Sequence, residues 1–207
     1  MSSQFGTVVA SGNRSATISR ETRETKITVA LRLDGNGETR VQTGVGFFDH
    51  LLSAMAHHAL FDLDVNAAGD LDVDEHHTVE DVALVFGAAL AEALGDRAGI
   101  VRFGDASVPM DESVATSVVD VGGRPYAVVD VPFHGKRAGK LPLELVDHVF
   151  ESIARTGGVT LNVRGRGRND HHLAEAAFKS FGRSLREAVA VDPRRAGAPA
   201  STKGVLG

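Results

Sequence analysis

The sequence predicts an α+β fold built as two similar halves, each a small mixed β-sheet carrying two helices on one face. Three observations predict it. The motif His-His-x-x-Glu occurs twice, at His76-His77-Thr78-Val79-Glu80 and at His171-His172-Leu173-Ala174-Glu175, with every position shifted by 95 (76 to 171, 80 to 175). An Asp-His step precedes each copy, Asp49-His50 and Asp147-His148, at a shift of 98 (50 to 148). Strand-like and helix-like periodicities then follow in the same order on both sides of residues 100–105.

In the first half, residues 25–33 (TKITVALRL) alternate apolar and polar as a half-buried strand does. Residues 34–37 (DGNG) form a turn into a second strand. Residues 47–60 read as an amphipathic helix, and 61–65 (FDLDV) alternate again. Residues 78–94 place apolar side chains at helical spacing and stop at Gly95. The second half repeats this order: strands at 114–121 and 126–131, a helix at 143–156, a strand at 159–163 and a helix at 171–189. Phe86, Gly87 and Leu90 fall on Phe181, Gly182 and Leu185. The expected organisation is a first half with an N-terminal extension (1–102), a second half (103–191) and a tail (192–207) rich in Pro, Gly and Arg.

Composition removes several function classes. A net charge of −5 argues against a nucleic-acid partner, which favours a basic excess. No apolar run approaches the ~18 residues of a membrane span. The first fifteen residues lack the basic and apolar regions of a signal peptide, so the expectation is a cytoplasmic protein. Cysteine is absent, which excludes disulfides and thiolate metal sites.

The histidines carry the chemistry. On a helix, His76 and Glu80 share a face, and so do His171 and Glu175. Imidazole with carboxylate is a typical donor set for Mn²⁺, Zn²⁺ or Fe²⁺. The adjacent His77 and His172 point about 100° away and serve a different ion. With His50 and His148, these residues make two sites of three histidines and one carboxylate. The repeat alone leaves open which residues cross between the sets. A single His-His-x-x-Glu is most often a helix start; two of them with matching Asp-His steps make ligation the better reading. His57, His58 and His134 have no counterparts and read as structural or surface residues.

The stretches FFDHLLSAMAHHALFDL, GDLDVDEHHTVEDVALVFGAAL, RFGDASVPMDE, DVGGRPY, HVFES, HHLAEAAFKSFGRSL and the terminal DPRR and STKGVLG resemble the imidazoleglycerol-phosphate dehydratase family along nearly the whole chain. The resemblance implies two Mn²⁺ ions per active site, with ligand sets His50, His77, His171, Glu175 and His148, His172, His76, Glu80. It implies a homo-oligomer of 24 chains with sites assembled where subunits meet. It carries phosphate binding onto Arg102, Arg124, Ser201, Thr202 and Lys203, and substrate contact onto Glu24. The implied reaction dehydrates imidazole glycerol phosphate to imidazole acetol phosphate in histidine biosynthesis. Two metals on the ring nitrogens would hold the imidazole as imidazolate, a stronger electron donor. Glu24 is the expected acid–base residue, and Lys179 the second candidate, although Lys179 also stands where it would pair with Glu175. Asp147 departs from the family, where Glu is common. Metal storage and dinuclear hydrolysis would also use such histidines; storage needs neither Glu24 nor the Arg and Lys set.

Overall fold

The computed structural model describes residues 2–3 and 5–206. The first sheet holds β1 (Ser2–Ser3), β2 (Gly6–Gly12), β3 (Ser15–Glu21), β4 (Thr25–Arg32), β5 (Thr39–Gln42) and β6 (Asp62–Gly69), in the order β1-β2-β3-β4-β6-β5. The helix α1 (Gly46–Ala59) joins β5 to β6, and α2 (His76–Leu94) leads to the second sheet. That sheet begins with β7 (Phe103–Met110), β8 (Ser113–Asp120) and β9 (Tyr126–Asp130). A short ladder of β10 (Arg137–Ala138) and β11 (Leu141–Pro142) and the helix α3 (Glu144–Gly157) then return the chain to β12 (Thr160–Arg166). The order is β7-β8-β12-β9, and α4 (Asp170–Ala188) follows.

The sequence order β3-β4-β5-α1-β6-α2 therefore has the pairing β3-β4-β6-β5, and β7-β8-β9-α3-β12-α4 has the pairing β7-β8-β12-β9. In each set one pair is parallel, β5 with β6 and β9 with β12, and the rest are antiparallel. The parallel pairs are the ones that need a long crossover, which α1 and α3 supply.

The alternation read from the sequence is what buries one face of each sheet. In β4, Thr25, Ile27, Val29 and Leu31 point inward while Lys26 and Arg32 face solvent. The helices fill the space between the sheets: α1 lies on β5 and β6, α2 on β3 and β4, α3 on β9, and α4 on β7 and β8. They also pack on each other across the halves, α1 against α4 and α2 against α3. One contiguous apolar cluster results, with Phe48, Phe86, Phe150 and Phe181 fully buried. Because α2 is covered by both a sheet and a helix, it buries residues on most of its circumference rather than one stripe.

The strands β2, β3 and β7 lie where the sequence showed no strand pattern. β3 (SATISRE) buries only Ala16 and Ile18, and β2 has no buried residue, so the alternation that marks a strand is weak. The tail is tied down. Asp192 caps a short 3-10 turn (Pro193–Arg195), Gly99 donates to the Ala198 carbonyl, and Arg102 Nη1 donates to the Ala200 carbonyl at 2.7 Å. Among the described residues no helix is long and apolar enough to cross a membrane.

Candidate active site

The helix pairing across the halves brings the motif residues together. His50, on the first turns of α1, meets His171 and Glu175 at the start of α4. His50 Nε2 lies 3.1 Å and His171 Nε2 lies 2.9 Å from the same oxygen, Glu175 Oε1. The mirror arrangement joins α3 to α2. His148 Nε2 is 3.2 Å from Glu80 Oε1, and His76 Nε2 is 3.7 Å from Glu80 Oε2. In each trio one atom per residue can be chosen so that all three lie within 4.8 Å of one another.

Local structure explains the placement. Asn169 caps α4 and accepts from the backbone N–H of His171 and His172, so both histidines start the helix with fixed backbones. Asp74, two residues earlier, accepts from the backbone N–H of His76. Phe47 packs its ring 4.6 Å from that of His171. The His76–His77 rings stand 6.1 Å apart at 81°, and the His171–His172 rings 6.1 Å apart at 82°. The second histidine of each pair is thus turned out of its own chain's trio, as the helical spacing requires.

The trios fit divalent metals by their own chemistry. Three borderline N and O donors converge in each, a set suited to Mn²⁺, Zn²⁺ or Fe²⁺. His148 Nε2 is buried and its 3.2 Å contact with Glu80 Oε1 lacks hydrogen-bond geometry, a cost that a bound cation would remove. Glu175 is almost fully buried, which opposes ionisation, but hydrogen bonds from Lys179 (2.6 Å) and His50 outweigh burial and hold its pKa at about 2. It is therefore a ready anionic ligand. Glu80 also receives Arg155 at 3.5 Å.

Beside His148, Asp147 is pushed up to about 6 by burial and by the nearby Glu151 and Asp130, and its Oδ1 has no partner. Its counterpart Asp49 accepts from the Thr43 N–H and hydroxyl instead. This is where the two halves differ most in local chemistry.

His77 and His172 are held elsewhere. His77 Nδ1 lies 3.0 Å from Asp70 Oδ2 and 3.8 Å from Glu24 Oε2; His172 Nδ1 lies 3.0 Å from Glu112 Oε2. These carboxylates raise both imidazole pKa values, and Glu112 falls well below the usual carboxylate range. Asp70, Glu112 and Arg155 had no assigned role in the sequence. In the fold Glu112 immediately precedes β8, as Glu24 immediately precedes β4.

Arg102 and the tail make a second cluster. Arg102 grips Asp120 through Nε (2.7 Å) and Nη2 (2.9 Å) while Nη1 holds the Ala200 carbonyl. Arg124 reaches the same carboxylate at 3.9 Å with a mostly exposed side chain. Ser201 follows Ala200 directly, and its hydroxyl accepts from the Lys203 backbone N–H. Arg102 adopts φ 80°, a left-handed conformation that costs a non-glycine residue about 1–3 kcal/mol and clusters at functional sites.

Known proteins share this sequence pattern and fold. The family model described as imidazoleglycerol-phosphate dehydratase matches residues 43–185. The imidazoleglycerol-phosphate dehydratase of Chloroflexus aurantiacus is 54% identical over 194 residues, covering 93% of this chain and 95% of its own. That of Acidiphilium cryptum is 52% identical, covering 94% of this chain and 100% of its own. Among solved structures, the enzyme of Staphylococcus aureus superposes with a TM-score of 0.77 at 32% identity, over 85% of this chain and 98% of that one. The IGPD of Pyrococcus furiosus gives 0.78 at 34%, over 91% and 100%. With sequence match and fold agreeing over almost the full length, the chain belongs to the imidazoleglycerol-phosphate dehydratase family.

Proposed function

We propose that the protein is a Mn²⁺-dependent hydro-lyase that converts D-erythro-imidazole glycerol phosphate to imidazole acetol phosphate in L-histidine biosynthesis. The observation that carries this reading is that each donor trio takes one histidine from one half of the chain and a His–Glu pair from the other. Relatives that bear the name of the reaction supply the substrate.

His50, His171 and Glu175 would hold one ion, and His76, Glu80 and His148 the other. His77 and His172 are the fourth ligands, exchanged between copies in a large homo-oligomer, 24 chains by resemblance. When bound, the ions would supply Lewis acidity that lowers the pKa of the substrate imidazole, so that it could be held as imidazolate, a stronger electron donor. Arg102, Arg124, Ser201, Thr202 and Lys203 take the phosphate, guanidinium groups as forks and Lys203 as a point charge. Asp120 keeps the Arg102 fork from swinging, so the phosphate end is anchored and the reacting carbons are oriented.

The net change removes a carbon-bound proton and the neighbouring hydroxyl as water, and the resulting enol becomes the ketone. Glu24 receives the carbon-bound proton on its carboxylate. Its exposure favours this role, as does the lack, among the described residues, of any ion pair nearer than the 3.8 Å contact with His77. Lys179 is the weaker candidate, because its ammonium is spent on Glu175.

We read the two halves, 1–102 and 103–191, as copies of one unit, with 192–207 as a tail that completes the phosphate site. The matched strand orders and the paired Gly87 and Gly182 support this. The reading places the enzyme in the cytoplasm, with no membrane or nucleic-acid partner. The test is a dehydration assay on purified protein, stripped of metal and then reloaded with Mn²⁺. Ketone product should form only after reloading. Metal-loaded protein that leaves the substrate intact, or that hydrolyses generic phosphate esters instead, refutes the reading.

A further inference from the structure

His77 and His172 stand outside the trios of their own chain, yet neither ring is loose. A carboxylate can only accept a hydrogen bond, so the 3.0 Å contacts to Asp70 and Glu112 put the proton on Nδ1 of each ring. In the neutral ring each Nε2 then keeps a lone pair. The carboxylate of Glu112 is itself fixed. Its Oε1 accepts from the Asn169 N–H at 2.8 Å, the Arg168 N–H at 3.2 Å and the Ser113 hydroxyl at 2.9 Å. Those donors sit in the β8 start and in the loop that leads into α4, so Glu112 ties the sheet to the helix turn that carries His172.

Glu112 occupies the place in its half that Glu24 occupies in the other, one residue before the second strand. The two do different things. In the first half Asp70 has taken the close position on the histidine, which leaves the Glu24 carboxylate free at 3.8 Å. In the second half both oxygens of Glu112 are already used. Resting on the reading of His172 as a ligand, we propose that Glu112 is a positioning residue that fixes the tautomer and orientation of His172 so that Nε2 can bind a divalent cation. The same difference explains why only one of two equivalent carboxylates is available for proton transfer.

Glu112→Gln separates this role from a structural one. The three donors at Oε1 oblige the amide to keep its carbonyl oxygen there, which preserves the loop. The amide NH₂ must then face His172 Nδ1, and a donor at that point selects the opposite tautomer, with the proton on Nε2. Asp70→Asn is the contrast. Asp70 Oδ1 has no hydrogen-bond partner, so the amide can turn and still offer an oxygen to His77.

The measurement is Mn²⁺ titration of the metal-stripped full-length protein, with the thermal midpoint of the metal-free form in parallel. Glu112→Gln should weaken one class of sites by roughly 10–100-fold, the usual effect of removing a group that orients a metal-bound histidine. The metal-free midpoint should stay at the wild-type value, and Asp70→Asn should lose less affinity than Glu112→Gln. His172→Ala should weaken the same class of sites. Wild-type Mn²⁺ binding in Glu112→Gln, alongside a loss in His172→Ala, overturns the proposal and leaves the ligand reading standing. Wild-type binding in both overturns the ligand reading itself. A lowered midpoint with unchanged affinity in Glu112→Gln also overturns it, because the residue would then serve the fold alone.

Discussion

Gly182 sits on α4 where it crosses α1, and replacing it with alanine tests how the helix pairing supports the site. An ideal Cβ at Gly182 would lie 2.2 Å from the Met55 carbonyl oxygen. Real Cβ atoms keep at least 3.0 Å, so α1 and α4 must part by the better part of an ångström. Two effects oppose each other. Alanine in a helix interior is favoured over glycine by about 1 kcal/mol. Overpacking a dense contact costs about 1–3 kcal/mol, and the upper end applies because the obstacle is backbone, not the tip of a flexible side chain. The net loss of about 1–2 kcal/mol corresponds to a drop of roughly 2–8 °C in the thermal midpoint for a chain of this size. The same separation carries His50 away from Glu175, now 3.1 Å apart, while His76, Glu80 and His148 on α2 and α3 are untouched. Circular dichroism melts of the metal-free protein and Mn²⁺ titration read both effects. We expect a lower midpoint and one weakened class of sites. Gly87→Ala, whose Cβ would lie 2.7 Å from the Ile153 carbonyl, should weaken the other class. An unchanged or raised midpoint with both classes intact in Gly182→Ala refutes the reasoning.

Replacing His76 and Glu80 together by Ala should reduce bound Mn²⁺ from two ions per chain to one by elemental analysis; a wild-type value at or below one defeats the two-ion reading. Chelation should convert the large assembly to smaller particles in size-exclusion chromatography, reversibly with Mn²⁺, since ligand bonds between copies are lost with the metal. Glu175 has a folded-state pKa lowered to about 2, so its ion pair contributes stability fully above the ordinary value of 4.5 and loses it as pH falls towards 2. In metal-free Lys179→Ala the acid-side decline over that window should be shallower than in wild type; an identical curve removes Lys179 as the cause. Lys203→Ala should raise KM before it harms kcat, whereas Glu24→Gln should lower kcat by roughly 10²-fold with metal content unchanged. Near-normal turnover in Glu24→Gln shifts the acid–base role to Lys179.

What the sequence made legible was chemistry that depends on residue type and local spacing. A histidine and a glutamate four apart on a helix must share a face, whatever the fold does, and the 95-residue shift paired the halves. Polar edge strands such as β2 and β3 were not legible, because a strand that buries little shows little alternation. Nor were Asp70 and Glu112, which come from loops and reach their histidines only through the folded sheet. The same long-range geometry turns Arg102 onto Asp120 and the tail carbonyl, a partnership that spacing alone cannot indicate.

On the proposed function, the count of donors gives a physical reason for assembly. Among the described residues each chain holds two trios, each one ligand short of a three-histidine, one-carboxylate set, and two histidines whose Nδ1 atoms are already satisfied by carboxylates. Within a chain those histidines cannot return to the trios, because adjacent residues on a helix diverge by about 100° and the carboxylates hold them there. A second copy can supply what the first lacks and receive the same in exchange. On the proposed function, metal binding, subunit association and the formation of the active site are thus one coupled equilibrium, and a change that weakens His172 as a ligand weakens the assembly at the same time.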